Sequence, residues 1–224
     1  MASRIGPARL ACSRLLAGAL LVAAVTGSAA GAEDAPRRVR SLTELRQQGV
    51  IRQHWDLSCG AAAIATLLTY QLGRPVTERE VALAMLRRTS PNLVRARMGF
   101  SLLDLKIYAA TQGLGAAGYQ EMTLADLDAM APAIVPIRTH GNRHFVIYRG
   151  RKGDRVLLAD PSFGNRTMPI WSFNAAWANG IGFTVFDPAQ PQAPNRMGAP
   201  PELFLAPSLQ QRREAVATIA SGRL

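Results

Sequence analysis

The sequence predicts an α+β fold in which N-terminal helices pack on an antiparallel β-sheet. Three observations predict it. The first half of the 224 residues carries helix starts and stops around apolar stretches. The second half carries short β-branched and aromatic runs separated by turn residues. Helices precede strands instead of alternating with them, an order that favours an antiparallel sheet over βαβ units.

The helices come first. Ser58 can cap a helix through Gly60–Tyr70, with Gly73 as its stop, and its apolar residues on every side predict central burial. Thr77-Glu78-Arg79-Glu80 is a capping box that opens a second helix from Glu78 to about Arg88, broken by Ser90-Pro91-Asn92. Ser101 starts a third helix closed by Gly113, and Thr123 a fourth that ends before Pro132. Four strands follow, at 133–138, 144–148, 156–160 and 182–186, with a helical turn at 171–177. Beyond Asp187-Pro188 the density of proline predicts an extended linker, then a terminal amphipathic helix over 208–221. No internal repeat is evident.

Residues 1–32 have the layout of a secretory signal. Arg4, Arg9 and Arg14 form the basic start, Leu15–Val25 the apolar core, and Ala30-Gly31-Ala32 the small-residue site, with cleavage expected before Glu33. The apolar core is too short to span a bilayer, and no later stretch is long and apolar enough to be a membrane helix. Removal of the signal leaves 192 residues, enough for one domain at 33–187 and a tail at 188–224, in the periplasm. It also removes three arginines and no acid, so a formal charge of +11 falls to +8. That excess is carried by arginine (Lys106 and Lys152 are the only lysines), and it suits acidic peptides, anionic headgroups or polyanions. Without aromatic residues interleaved among the basic ones, nothing marks a nucleic-acid platform.

The chain has two cysteines, and Cys12 lies in the signal, so the mature protein holds one thiol, Cys59, and no internal disulfide. Cys59 falls where a helix begins, and a helix N-terminus favours the thiolate, the nucleophilic form. Gly60 lets backbone and substrate approach it closely. Attack on a carbonyl creates an oxyanion, which the Cys59 backbone N–H and the Gln53 side-chain amide, six residues upstream, can receive. Of three histidines, His144 opens an apolar strand and is the expected base. If the following hairpin turns about Lys152, His144 stands directly opposite Asp160, whose carboxylate can orient the imidazole. A one-residue slip would place the two on opposite faces. His140 is the reserve base, His54 is polar filler beside Trp55, and Asp56 has no assigned chemistry. Each feature alone has a plain alternative, a core cysteine, a strand histidine or an Asp-Pro turn starter. Their combination points to a nucleophilic cysteine site. His140 and His144 have i, i+4 spacing but lie on loop and strand with no third ligand, so no metal and no cofactor is expected.

At these residues the chain resembles the C39-like cysteine peptidases, which have a papain-like fold. The resemblance covers about 45–187 and rests on Gln53, Cys59-Gly60-Ala61, His144-Phe145 and Asp160-Pro161. It implies Cys59 as nucleophile, His144 as general base and then acid, Asp160 as orienting carboxylate and Gln53 as oxyanion donor. Many members have Asp just before the cysteine, where this chain has Ser58. The best-known members are domains of peptide exporters that cut leaders after Gly-Gly. This chain is similar to the stand-alone periplasmic type, including those that accompany functional-amyloid secretion systems. The expected function is therefore a periplasmic cysteine endopeptidase acting on an exported protein or peptide, with secretion-system components as partners. Two alternatives stand beside it, a papain-like cell-wall amidase and a non-catalytic peptide-binding chaperone or adaptor of a secretion system.

Overall fold

The computed structural model describes residues 40–139, 141–191 and 193–204, together with 213, 216 and 217. The expected signal segment 1–32, the reserve base His140 and most of the expected terminal helix lie outside the described residues. At the centre is helix α2 (Cys59–Thr66), all eight residues of which are buried, as a helix apolar on every side requires. A five-residue π-helical turn (Leu67–Gln71) extends it. Ile64, Leu67 and Leu68 are essentially solvent-free there, each worth about 2–3 kcal/mol of transfer free energy.

Helices α3 (Glu78–Leu86) and α5 (Leu102–Thr111) pack against α2; α4 (Pro91–Arg97) comes between them in the chain, and α1 (Leu42–Gln47) packs on the sheet instead. The capping boxes of α3 and α5 form as their sequences dictate, each hydroxyl accepting from the N3 amide and each N3 carboxylate accepting from the cap amide. Ser90-Pro91-Asn92 does more than end a helix. Ser90 accepts from the Leu93 amide and Pro91 fills the first helical position, so the same residues start α4. Arg97 closes α4 in front of Met98, which adopts the left-handed conformation.

The sheet has six strands, not the four expected. Strands β1 (Gly115–Tyr119), β2 (Ala133–Thr139), β3 (Asn142–Lys152), β4 (Arg155–Asp160), β5 (Gly164–Pro169) and β6 (Gly182–Phe186) are ordered β1-β6-β2-β3-β4-β5, and every pairing is antiparallel. Helix α6 (Leu124–Met130) precedes β2, and α7 (Ile170–Ala176) follows β5. The central strands are buried on both faces. Ile134 and Ile147 join α2, α3 and α5 in one apolar core, while Val135, Val146 and Tyr148 join α6 and α7 in a second. Among the described residues no helix is long and apolar enough to cross a membrane.

The proline-rich stretch after Asp187 is extended but is not a free linker up to Phe204. Met197 and Leu203 are almost fully buried, the Gln71 amide donates to the Pro194 carbonyl, and the Arg196 amide donates to Gln71. Two buried apolar side chains, Met197 within the first apolar core, are enough to hold a strap that proline already stiffens.

Candidate active site

Cys59 is the first residue of α2, and Ser58 precedes it without capping the helix. The backbone of Ser58 (φ −103°, ψ 10°) lies outside the extended region from which a cap side chain reaches the N3 amide. Its hydroxyl turns back instead to the Trp55 carbonyl, at 2.7 Å, and to the buried carboxylate of Glu78. Glu78, in the first turn of α3, also accepts from the His54 amide (3.0 Å) and faces His54 Nδ1 at 2.7 Å. One carboxylate therefore ties the loop before Cys59 to α3. The first-turn amides of α2 are left without a side-chain acceptor, so the positive end of the helix is directed at the thiol.

Gly60 serves a different purpose from the one expected. A Cβ there would meet Leu105 at 3.2 Å, Phe145 at 3.4 Å and Phe100 at 3.5 Å. The room that glycine leaves is filled by α5 and β3, so its smallness lets α2 lie against the strand that carries His144 rather than admitting a substrate.

The register of the β3–β4 hairpin departs from the expectation of direct opposition. The turn is Gly153-Asp154, and beside it Lys152 pairs with Arg155 and Arg151 with Val156. Continued unchanged, that register would set Ile147 opposite Asp160, and Asp160 and His144 would face opposite sides. A β-bulge intervenes between Tyr148 and Gly150, with Arg149 as the extra residue, and beyond it Ile147 pairs with Ala159. His144 and Asp160 thereby return to one face as diagonal neighbours two residues out of direct opposition, close enough for side chains to meet. Gly150 holds the bulge at φ +137°, a conformation that L side chains rarely adopt. Arg149 is buried and donates to the Met197 carbonyl (2.7 Å), Asn165 Oδ1 (2.8 Å) and the Gln48 carbonyl (3.3 Å). Burial lowers its pKa to about 10.

His144 Nε2 and Asp160 Oδ1 are 2.7 Å apart, and the imidazole lies beside Cys59, with which it shares a cleft. With Nε2 engaged by the carboxylate, Nδ1 is the nitrogen left to serve the sulfur. Asp160 is fully buried and accepts further bonds from Arg166 Nε (2.8 Å) and the Ser162 amide (2.8 Å). Burial alone would push its carboxyl up, but the bonds and charges of His144, Arg166 and Ser162 hold it below the ordinary carboxylate value. For His144, burial opposes the charged form, and the bonds to Asp160 and Cys59, with their charges, overcome it and raise the imidazole to about 9. With that value the imidazole carries its second proton at neutral pH, beside the sulfur.

Gln53 is brought to the same corner. Its backbone N–H donates to the Pro161 carbonyl at 2.9 Å, Arg52 donates to the Pro161 and Ser162 carbonyls, and the Ile51 backbone N–H donates to Thr66 Oγ1 of α2. The segment before the cysteine is thus pinned to α2 and to the turn after Asp160. The Ser162 hydroxyl donates to Gln53 Oε1 (3.0 Å), which fixes the amide's orientation, and Nε2 donates one proton to the Trp55 carbonyl at 3.0 Å. Its second proton is available to an oxyanion. Asp160-Pro161 is accordingly both a turn starter and the histidine's partner. His54 and Asp56 are exposed and outside this cluster.

Cys59 and His144 open onto a cleft of about 420 Å3. Its apolar lining includes Phe100, Leu102, Phe145 and Ile181, and its basic lining is Arg97, Arg138 and Arg143. Sequence reasoning missed Glu78, Ser162, Arg166 and this arginine group. Glu78 was read only as part of the capping box that opens the second helix, and Arg166 was hidden because the polar run that forms β5 gave no strand signal.

The peptidase C39 family model matches residues 47–189, which takes in every residue of this cluster. The chain is 36% identical over 171 residues to "Probable functional amyloid protease FapD" of Pseudomonas aeruginosa, covering 76% of this chain and 74% of that protein. It is 37% identical over 149 residues to the protein of the same name in Pseudomonas fluorescens, covering 66% and 65%. Among solved structures it is similar to a double glycine motif protease from an AMS/PCAT transporter, crystallised with a leader peptide, at 27% identity and a TM-score of 0.51 over 61% of this chain and 89% of that one. The peptidase domain of Streptococcus ComA, at 20% identity and the same TM-score over 61% and 96%, shares the fold. A buried helix headed by cysteine, packed on an antiparallel sheet that carries histidine and aspartate, is the α+β papain-like architecture of these enzymes, and the chain belongs to the peptidase C39 family of cysteine peptidases.

Proposed function

We propose that the protein is a periplasmic endopeptidase, exported by a signal removed before Glu33, that cuts a specific exported polypeptide with a Cys59–His144–Asp160 triad and Gln53 as oxyanion donor. The observation that carries this reading is the placement of His144 between the fully buried Asp160 carboxylate and Cys59 at the uncapped end of α2. Cys59 attacks the scissile carbonyl carbon, and the oxyanion is received by the Cys59 amide and Gln53 Nε2. His144 passes its Nδ1 proton to the departing amine, leaving a thioester. Water, deprotonated by the same nitrogen, then releases the acid and restores the thiol. The curated relatives named as functional amyloid proteases support a substrate belonging to a functional-amyloid system, and the structure crystallised with a leader peptide supports a peptide substrate.

The test compares co-exported proteins in strains carrying wild type, Cys59→Ala and His144→Ala. Processing of at least one exported protein should stop in both variants, and the purified enzyme should restore the cut. Unchanged processing in Cys59→Ala would reject the peptidase reading in favour of a binding role for the cleft.

A further inference from the structure

Arg138 and Arg143 are directly paired across the β2–β3 hairpin, one residue along each strand from the Ile137–His144 pair. Residues directly opposite one another point to the same side of a sheet, and like charges so placed repel. Both side chains are exposed, and both line the cleft that holds Cys59 and His144. Among the described residues neither takes part in an ion pair or a side-chain hydrogen bond, and no acidic side chain lines the cleft. Arg97, from the last turn of α4, adds a third positive charge to the same cleft, and the acid whose charge it feels, Asp104, is held by Thr89 and Ser101 and does not line the cleft. Among the described residues nothing pairs with these charges, so the repulsion stands beside the nucleophile.

We propose that the arginine pair is a subsite for a substrate carboxylate, so that the enzyme selects polypeptides with Asp or Glu close to the cleaved bond. This rests on the reading of the cleft as a peptidase site and names the substrate class for it. Guanidinium forks match a carboxylate bidentately, and a carboxylate bridging two of them removes their mutual repulsion as it binds. The cleft is the size of a small-ligand pocket, and each extended residue advances about 3.3–3.6 Å, so the acid belongs within about three residues of the scissile bond. The net positive charge of the chain acts in the same direction at longer range, by attracting acidic chains.

The test uses tetrapeptide vinyl sulfones that alkylate Cys59, with Glu placed at each position in turn and compared with Gln at the same position. The rate of covalent labelling of the purified protein is read by intact mass. At one position or more, Glu should react about three- to tenfold faster than Gln, and the ratio should fall to about one in Arg138→Gln/Arg143→Gln. A control variant, Arg87→Gln/Arg88→Gln, removes the same net charge from residues that line a different cavity and should keep the preference. Equal Glu and Gln rates at every position in wild type would overturn the proposal. So would a preference that survives in Arg138→Gln/Arg143→Gln, or one lost equally in the control. The double variant should melt no lower than wild type, because a repulsion has been removed. Failure of the underlying peptidase reading shows separately, as iodoacetamide labelling of Cys59 that does not change in His144→Ala.

Discussion

Replacement of Asp160 by Asn tests the electrostatic core of the site while keeping the side chain's shape. In the native protein Asp160 contributes both a hydrogen bond and a charge to the imidazolium of His144, against burial that favours the neutral ring. A rise from 6.5 to about 9 corresponds to ~3 kcal/mol of preference for the charged form. Without the carboxylate the burial penalty remains and only Cys59 opposes it, so His144 should fall well below about 9. The assay is an NMR titration of the His Cε1 protons, with His144 assigned by its own substitution. Stability gives a second readout, and its sign follows from linkage. A histidine raised in the folded state stabilises fully below about 6.5, and that contribution is lost as pH rises through about 9. A depressed Asp160 stabilises above about 3.9, and that contribution is lost as pH falls through its folded value. The melting-temperature gap between wild type and Asp160→Asn should therefore be widest between about pH 4 and 6.5, at roughly 5–10 °C, and narrow toward pH 9. A His144 that still titrates near 9 in Asp160→Asn, or a gap independent of pH, would refute the reasoning.

Three further substitutions separate chemistry from architecture. Gln53→Ala should reduce turnover by about 10²–10³-fold with little change in the iodoacetamide labelling rate of Cys59, and a parallel fall in both would assign Gln53 a structural role instead. Glu78→Gln weakens the bonds to the His54 amide and the Ser58 hydroxyl and should lower the stability read from urea unfolding by about 1–3 kcal/mol; an unchanged midpoint would show that the loop is held by other contacts. Gly150→Ala places a side chain at φ +137° with its Cβ 3.2 Å from Ala199, and should cost at least ~1 kcal/mol while slowing Cys59 labelling, because the bulge sets the register of His144.

Helix caps and apolar periodicity were the most readable part of this chain. Thr77, Ser101 and Thr123 announce α3, α5 and α6, and each cap forms. The hairpin carrying His144 and Asp160 was readable as two β-branched runs around a polar turn. Its register was not, because the bulge at Arg149 depends on acceptors supplied by Gln48, Asn165 and Met197, all distant in sequence. The expected direct pairing of His144 and Asp160 was wrong by two residues, and the pair survived because an even slip preserves the face. Strands β1 and β5 escaped notice for another reason. Gly115–Tyr119 is mostly Gly and Ala, and Gly164–Pro169 is mostly polar, so each is a strand only through its ladder to β6 or β4. Ser58 looked like a cap because its type suits one; its backbone angles, imposed by the loop that Glu78 holds, forbid it.

The strap from Ala193 to Phe204 bears on where this enzyme can be cut. The interval matched by the family ends at residue 189, a natural place to end a recombinant fragment. A fragment of 47–189 would lose the Met197 carbonyl that accepts from Arg149, the Leu45 carbonyl that accepts from Asn165, and the buried side chains of Met197 and Leu203. An arginine would then sit under the sheet with an acceptor missing, beside an uncovered apolar surface. The folding unit thus extends beyond both ends of the interval that the family model matches, and limited proteolysis of the full chain should leave a resistant fragment that reaches past Leu203.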